Sequence, residues 1–120
     1  MLHIRSLGSV KIQSVDYNAL LEKLRTLAGS IRKQCPEAEK ILLFGSFAKK
    51  NYTPESDVDI LITVTYTDLP FIQRRDAFID FFTGIPFDIN LHVYTKDETQ
   101  KMLRDNNAFL KDAMEEAVEL

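Results

Sequence analysis

Residues 41–59 read ILLFGSFAKKNYTPESDVD, and the prediction of the fold starts from this segment. Residues 41–44 form an apolar run with no polar gap, which predicts a short strand buried on both faces. Gly45 permits a tight turn and a close approach of the backbone to a ligand. Ser46 then opens a short helix, which the turn-forming residues 51–56 end. The stretch therefore predicts a strand, a tight turn, a short helix and a loop ahead of a second strand.

Two carboxylates stand at the start of that second strand, which is predicted over residues 58–64. Because side chains alternate across a strand, Asp57 and Asp59 share one face of it. Neighbouring carboxylates repel each other unless a cation lies between them, and Mg²⁺ prefers oxygen ligands and keeps substrate phosphates in its shell. The alternative is a turn cap formed by Ser56 and Asp57, with Asp59 simply exposed. The glycine–serine turn upstream favours the metal interpretation, with Asp57 and Asp59 as metal ligands.

The turn after the first strand is the candidate phosphate-binding element. Free N–H groups and the positive dipole end at a helix N-terminus suit phosphate. The Ser46 hydroxyl adds a donor and Lys49 adds positive charge, so Gly45, Ser46 and Lys49 are the candidate nucleotide-binding residues. A phosphate cradle combined with paired carboxylates indicates phosphoryl chemistry on a nucleoside triphosphate.

A third acid stands at the entrance of a later predicted strand over residues 88–94. Apolar and polar side chains alternate along it, and Asp88 lies on the polar face with His92. If this strand pairs beside residues 58–64, Asp88 completes a catalytic cluster with Asp57 and Asp59, where it can ligate a second Mg²⁺ and help to deprotonate an attacking hydroxyl. The alternative is a solvent-facing polar side. His92 either lines the nucleotide pocket or is a half-buried structural histidine.

The segments LFGSFAKK at residues 43–50 and SDVDIL at residues 56–61 resemble the signature of the nucleotidyltransferase superfamily typified by DNA polymerase beta. Within that superfamily, the match looks closest to the small stand-alone branch, the minimal nucleotidyltransferases, whose closing helix is similar to residues 107–118. The resemblance covers residues 40–118. The family commonly has Arg-Gly where this chain has two lysines, so the short helix is expected to close at Asn51.

The resemblance implies an enzyme that moves a nucleoside monophosphate, most simply AMP from Mg-ATP, onto a hydroxyl with release of pyrophosphate. It implies two Mg²⁺ ions at Asp57, Asp59 and Asp88. Stand-alone members often act as antitoxins beside a helical HEPN ribonuclease toxin and add AMP to a toxin tyrosine, which makes such a toxin the expected partner. Two alternatives stay open: transfer to a small molecule of the aminoglycoside type, and a non-catalytic module that blocks a partner by contact.

Composition limits the class of protein. The chain has 120 residues, which suits one α/β domain over residues 1–120 with a small mixed sheet and helices packed mainly on one face. A net charge of −3 with scattered Lys and Arg argues against a long nucleic acid template. One cysteine, no membrane-length apolar stretch and no signal-peptide pattern favour a cytoplasmic protein without membrane contact. A homo-oligomer is left open.

The remaining segments predict supporting elements. Residues 1–13 permit either a small hairpin or a mobile arm. An apolar stripe predicts a helix over residues 16–33. A phenylalanine-rich helix starts near Pro70 and either packs in the core or meets a partner. Thr95 and Glu98 form a predicted capping box, and a last amphipathic helix follows near the C-terminus.

Overall fold

The computed structural model describes the backbone of residues 2–7 and 10–120, and the side chains of residues 16–120. These residues form six strands and five α-helices, with two 3₁₀ turns after the third helix. In chain order they are β1 Leu2–Leu7, β2 Val10–Val15, α1 Tyr17–Gln34, β3 Ala38–Phe44, α2 Gly45–Lys49, β4 Val58–Val64, α3 Phe71–Arg74, 3₁₀ turns Arg75–Ala77 and Ile79–Phe82, β5 Ile89–Thr95, α4 Lys96–Arg104, α5 Ala108–Glu115 and β6 Val118–Glu119.

The central sheet is mixed and has the strand order β5-β4-β3-β6. β3 runs antiparallel to both β4 and β6, whereas β4 and β5 are parallel. β1 and β2 pair separately as an antiparallel hairpin, which is one of the two alternatives for the N-terminal residues. Of the turn expected around residues 6–9, residues 8 and 9 lie outside the described residues. The predicted class, an α/β fold with a small mixed sheet, is confirmed.

Two apolar clusters lie on opposite faces of the sheet. In the larger cluster, α1 packs against one face of β3, β4 and β5. Ile41 and Ile60 are among the strand residues on this face. The smaller cluster joins α5 to the other face through Leu61 and Leu110. The strand alternation explains the division, because neighbouring residues in a strand point to opposite faces. Most of the buried helical residues pack on the first face, as expected. The second face is covered by α4 and α5, a position that the sequence analysis did not predict for them.

The helix starts follow the sequence closely. Asp16 caps α1 by accepting a hydrogen bond from the Ala19 amide at 3.0 Å. Thr95 and Glu98 form the predicted capping box of α4, with both reciprocal hydrogen bonds present. No helix in the described part of the chain is long and apolar enough to cross a lipid bilayer.

Three local expectations differ from the structure. The phenylalanine-rich segment is not one helix, because Phe78 leaves helical geometry at φ −123° and the chain turns there. Phe78 and Phe82 thereby reach the core, while Phe71 stays half exposed. The last helix ends at Glu115, and the chain then pairs as β6 with β3. Acidic side chains at a helix C-terminus oppose its dipole, which favours an end there.

The expected closure of the short helix α2 at Asn51 is wrong. Lys50 itself takes the left-handed conformation, with φ 59° and ψ 28°, and ends the helix. Its ammonium group lies 5.1 Å from the centre of the Tyr17 ring, a cation–π contact that offsets part of the backbone strain.

Candidate active site

One edge of the sheet brings the candidate residues together. β3 ends there, and β4 and β5 begin there, because β3 is antiparallel to β4 and β5 is parallel to it. Phe44, the last residue of β3, lies opposite Asp59, and Asp59 lies opposite Asn90 on β5. The glycine–serine turn and the start of two strands therefore face one another across a few ångströms.

Gly45 lies against the Asp59 carboxylate. Its φ is +71°, a backbone conformation that residues other than glycine rarely adopt. A Cβ at this position would also overlap the carboxylate of Asp59. The absence of a side chain therefore lets the β3–α2 turn pack directly on the acid. The glycine at this position has a steric basis.

The Asp57 and Asp59 carboxylates are joined through one amide group. Asn90 Nδ2 donates a hydrogen bond to Asp57 Oδ2 at 3.2 Å and another to Asp59 Oδ1 at 3.1 Å. The two acids therefore lie on the same side of the sheet, as the strand alternation predicts. Asp57 is exposed, whereas Asp59 is half-buried.

The surroundings of Asp59 disfavour its charged form. Burial raises the pKa of this carboxyl above its usual range, and the neighbouring Asp57 carboxylate raises it further. The hydrogen bond from Asn90 and the nearby His92 ring act in the opposite direction. A cation at this point would relieve both unfavourable effects, since it compensates lost hydration and like-charge repulsion together.

Asp88 lies at the same edge but outside the carboxylate pair. It precedes β5, its side chain is exposed, and its carbonyl accepts a hydrogen bond from the Val58 amide at 2.8 Å. Its side chain and that of Asp57 line one cavity of about 370 Å³. Among the residues with described side chains, no three His, Cys, Asp or Glu groups are arranged to hold a metal ion together. The structure brings Asp57 and Asp59 together and does not bring Asp88 into their cluster.

The short helix α2 carries the candidate phosphate-binding residues. Ser46 is half-buried in its first turn. Lys49 Nζ lies 3.6 Å from Asp112 Oδ1, an exposed pair that links α2 to α5. Beneath α2, the Phe47 ring stacks on Tyr52 at 4.7 Å, and Tyr52 stacks in turn on Tyr17 at 5.7 Å. This aromatic stack fixes the helix that presents Ser46 and Lys49.

His92 lies two residues beyond Asn90 on the same face of β5. Its ring is half-buried between Phe44 and Phe109, with ring centres 5.7 and 5.1 Å away. Burial lowers the pKa of His92, and the Asp59 carboxylate acts against that shift. The aromatic neighbours of His92 favour the structural interpretation.

Sequence comparison decides the family. The sequence model of the nucleotidyltransferase domain matches residues 22–119. The chain belongs to this family. It is also 30% identical over 84 residues to the bifunctional uridylyltransferase/uridylyl-removing enzyme of Nitrosococcus oceani. That match covers 69% of the chain and 9% of the enzyme, so the chain spans a small fraction of the curated relative's length.

Solved structures share the nucleotidyltransferase fold. A protein of Sulfolobus solfataricus with a provisional nucleotidyltransferase assignment superposes with a TM-score of 0.60 and 20% identity, over 86% of this chain and 80% of that one. A toxin–antitoxin crystal structure with AMP-PNP gives a TM-score of 0.56 and 22% identity, over 88% and 72% of the two chains. A mutant of the MntA-HpeT toxin–antitoxin gives 0.53 and 18%, over the same shares. The family match confirms the resemblance to nucleotidyltransferases noted in the sequence, and these structures show the same fold.

The donor set of this nucleotidyltransferase domain fits a hard divalent cation. Asp57 and Asp59 offer carboxylate oxygens at one point, and the lack of a side chain at Gly45 lets the turn backbone lie directly against Asp59. Mg²⁺ is usually bound by one or two carboxylates and completes its shell with waters and substrate phosphates. The pair therefore suits one Mg²⁺ together with a triphosphate.

Asn90 is the site residue that sequence reasoning missed. The alternation along β5 placed it on the polar face with Asp88 and His92, so a signal was present. The sequence does not reveal the register between two parallel strands, and that register sets Asn90 opposite Asp59.

Proposed function

We propose that this nucleotidyltransferase domain transfers a nucleoside monophosphate, AMP from ATP, to a hydroxyl group and releases pyrophosphate. One observation carries the proposal: in a member of this family, Asp57 and Asp59 converge on one point beside the side-chain-free turn at Gly45. Paired oxygen ligands next to a backbone turn are what a metal–triphosphate complex needs.

Asp57 and Asp59 would hold the magnesium ion of the Mg-ATP complex. A bound Mg²⁺ would supply positive charge that neutralises the triphosphate. The contribution of Asp57 and Asp59 would be to hold the triphosphate in position relative to the acceptor. A reactant that is already positioned loses less entropy on reaching the transition state, so the reaction is faster. The expectation of a second Mg²⁺ ion with Asp88 as a ligand stays a prediction.

Ser46 and Lys49 would bind the phosphate tail from α2. The Lys49–Asp112 pair is long and exposed, so it contributes little to stability and Lys49 is free to exchange its partner for a phosphate. The Ser46 hydroxyl and the turn backbone at Gly45 would donate hydrogen bonds to the same tail. Asp88 would act from the cavity that it lines with Asp57, where it can take the proton of the attacking hydroxyl.

A tyrosine of a HEPN-type toxin is the proposed acceptor, which would make the chain an antitoxin. Two toxin–antitoxin structures share the fold over 88% of this chain, and one of them contains AMP-PNP, an ATP analogue. The net charge of −3 also argues against binding of a nucleic acid template, since proteins that bind long nucleic acids need a basic surface. A small-molecule acceptor is the alternative.

The experiment uses the chain purified with its co-purifying proteins and incubated with Mg²⁺ and ATP labelled at the α-phosphate. The wild type should label a partner protein. The double variant Asp57→Asn, Asp59→Asn should lose at least about a hundredfold in rate, the scale of removing charge-stabilising groups. Asp68→Asn is the matched control, since Asp68 is exposed beyond the far end of β4, and it should keep the wild-type rate.

The outcomes separate the alternatives. Label on protein that depends on Asp57 and Asp59 supports nucleotidyl transfer, and mass spectrometry of the labelled peptide identifies the accepting residue. Stable partner binding by both wild type and double variant, without any label on protein or small molecules, would instead indicate a module that blocks its partner by contact.

A further inference from the structure

Asn90 is an exposed residue with two hydrogen bonds to acids. Its amide nitrogen lies 3.2 Å from Asp57 Oδ2 and 3.1 Å from Asp59 Oδ1, so each carboxylate receives a donor from the same NH₂ group. The residue contributes nothing to either apolar cluster, because its side chain projects from the sheet edge into solvent. Its contacts therefore concern the acids alone.

The strand register makes this arrangement specific. Asn90 lies directly opposite Asp59 in the parallel β4–β5 pair, and Asp57 is the diagonal neighbour on the same face. Residues opposite and diagonal across paired strands come within reach of a single side chain. An asparagine has two N–H groups on one nitrogen, so it can serve both acids at once, whereas a hydroxyl has only one donor.

We propose that Asn90 is the positioning residue of the Asp57–Asp59 pair. In the metal-free protein its amide nitrogen holds both carboxylates where a divalent cation would otherwise hold them, and it thereby sets the affinity of the pair for that cation. The proposal rests on the proposed function for its metal site. Asn90 is uncharged, so it adds no third carboxylate beside the two acids.

Mn²⁺ titration by calorimetry, in the absence of nucleotide, tests the affinity. Partners that orient metal ligands typically change metal affinity by about 10–100-fold when removed, so Asn90→Ala should bind Mn²⁺ at least about tenfold more weakly. Asn90→Asp places a third carboxylate beside the pair and should bind at least about tenfold more tightly. Asn18→Ala, an exposed asparagine on α1, is the matched control and should bind as the wild type does.

Thermal unfolding in EDTA tests the metal-free state. Asn90→Asp should lower the midpoint by about 3–6 °C, because three close carboxylates then repel one another without a cation. Mn²⁺ should recover this loss in Asn90→Asp and have a smaller effect on Asn90→Ala. If Asn90 had only a structural role, its substitution would lower the midpoint without changing the response of the protein to Mn²⁺.

Nuclear magnetic resonance gives a direct readout at the amide. The chain has five asparagines, and the side-chain NH₂ signal of Asn90 is assigned by its absence in Asn90→Ala. Addition of Mg²⁺ should shift that signal more than those of the other four, because its carboxylate partners take up the cation.

Two results would overturn the proposal. One is equal Mn²⁺ affinity in the wild type, Asn90→Ala and Asn90→Asp, including a lack of binding by all three. The other is a loss of affinity in Asp88→Asn with no change in the Asn90 variants, which would make Asp88 the partner of the pair. A wild type that fails to transfer nucleotide but shows the predicted Asn90 responses contradicts the proposed function and leaves this inference standing.

Discussion

At the scale of single residues, Gly45 and Asp59 depend on each other. The turn packs so closely on the carboxylate that no side chain fits between them, and the glycine also has a positive φ. Either property alone would favour glycine. Together they restrict this position to glycine.

Substitution of Gly45 measures that restriction. Gly45→Ala should lower the free energy of unfolding by about 1–3 kcal/mol, because a left-handed conformation is strained for alanine and the carboxylate must move away. Gly29→Ala is the matched control, since Gly29 lies in α1 with nothing near its would-be Cβ, and it should stabilise by about 0.5–1 kcal/mol. Urea unfolding of both variants checks the signs, and a Gly45→Ala protein as stable as the wild type would contradict the steric argument.

The sequence predicted part of the arrangement of the candidate residues, for physical reasons. Asp57 and Asp59 follow from strand alternation, and Gly45 follows from its turn, because both depend on local geometry. Asn90 could not be found in this way, since its importance depends on the register between strands separated by a long connection. The functional roles assigned to the six site residues stay predictions; these residues are Gly45, Ser46, Lys49, Asp57, Asp59 and Asp88.

At the scale of elements, α4 is held by charges at its first turn. Glu98 closes the capping box and accepts a hydrogen bond from Arg74 NH1 at 2.6 Å, which ties α4 to α3. Burial acts to raise the pKa of Glu98, but hydrogen bonds from Arg74 and Thr95 outweigh it, and the pKa is lowered overall. A carboxylate with a lowered folded-state pKa stabilises the protein above its unfolded pKa and ceases to do so as the pH falls through the folded value.

The pH dependence of stability should reveal this contribution. At pH 7, Glu98→Gln should lower the free energy of unfolding by about 0.5–1 kcal/mol, a modest value because the carboxylate is partly exposed. The difference from the wild type should shrink as the pH falls below about 4.3, the ordinary value for glutamate, and then vanish below the folded pKa. Urea unfolding across this pH range measures the difference in free energy of unfolding, with the exposed Glu115→Gln as control. A difference between Glu98→Gln and the wild type that persists at low pH would exclude the Arg74–Glu98 ion pair as the cause of the destabilisation.

Where a helix start has a strong local signal in the sequence, its position was predicted to within a residue or two. The start of α1 and the capping box of α4 depend on side chains adjacent in sequence, so they can be read directly. The segment from Phe71 to Phe82 and the end of α5 could not, because tertiary contacts decide them. Phe78 bends the chain to reach the core, and Val118 leaves the helix to pair with Leu43.

At the scale of the whole molecule, the sheet is covered from both sides. Leu24 of α1 and Leu110 of α5 are fully buried in separate clusters, with β3 and β4 between them. The smaller cluster includes Phe44 and lies on the same face as Asp59. Packing of α5 therefore supports the strand end from which the site is built.

Core truncations on the two faces should both be costly. Leu24→Ala and Leu110→Ala should each lower the free energy of unfolding by about 2–5 kcal/mol, because each leaves a cavity in a closed cluster. Leu103→Ala, which removes a side chain 42% exposed on α4, should change it by less than about 0.5 kcal/mol. Urea unfolding followed by circular dichroism checks all three, and a small effect of Leu110→Ala would mean that α5 is not held by this packing.

The aromatic stack beneath α2 gives the protein an optical property of its own. The chain has no tryptophan, so the emission of its four tyrosines is not lost by energy transfer to an indole. Tyr17 and Tyr52 lie in the stack that joins Phe47 to α1, next to the helix that carries Lys49. Their intrinsic fluorescence is therefore a label-free signal for any rearrangement of α2, already present in the native sequence.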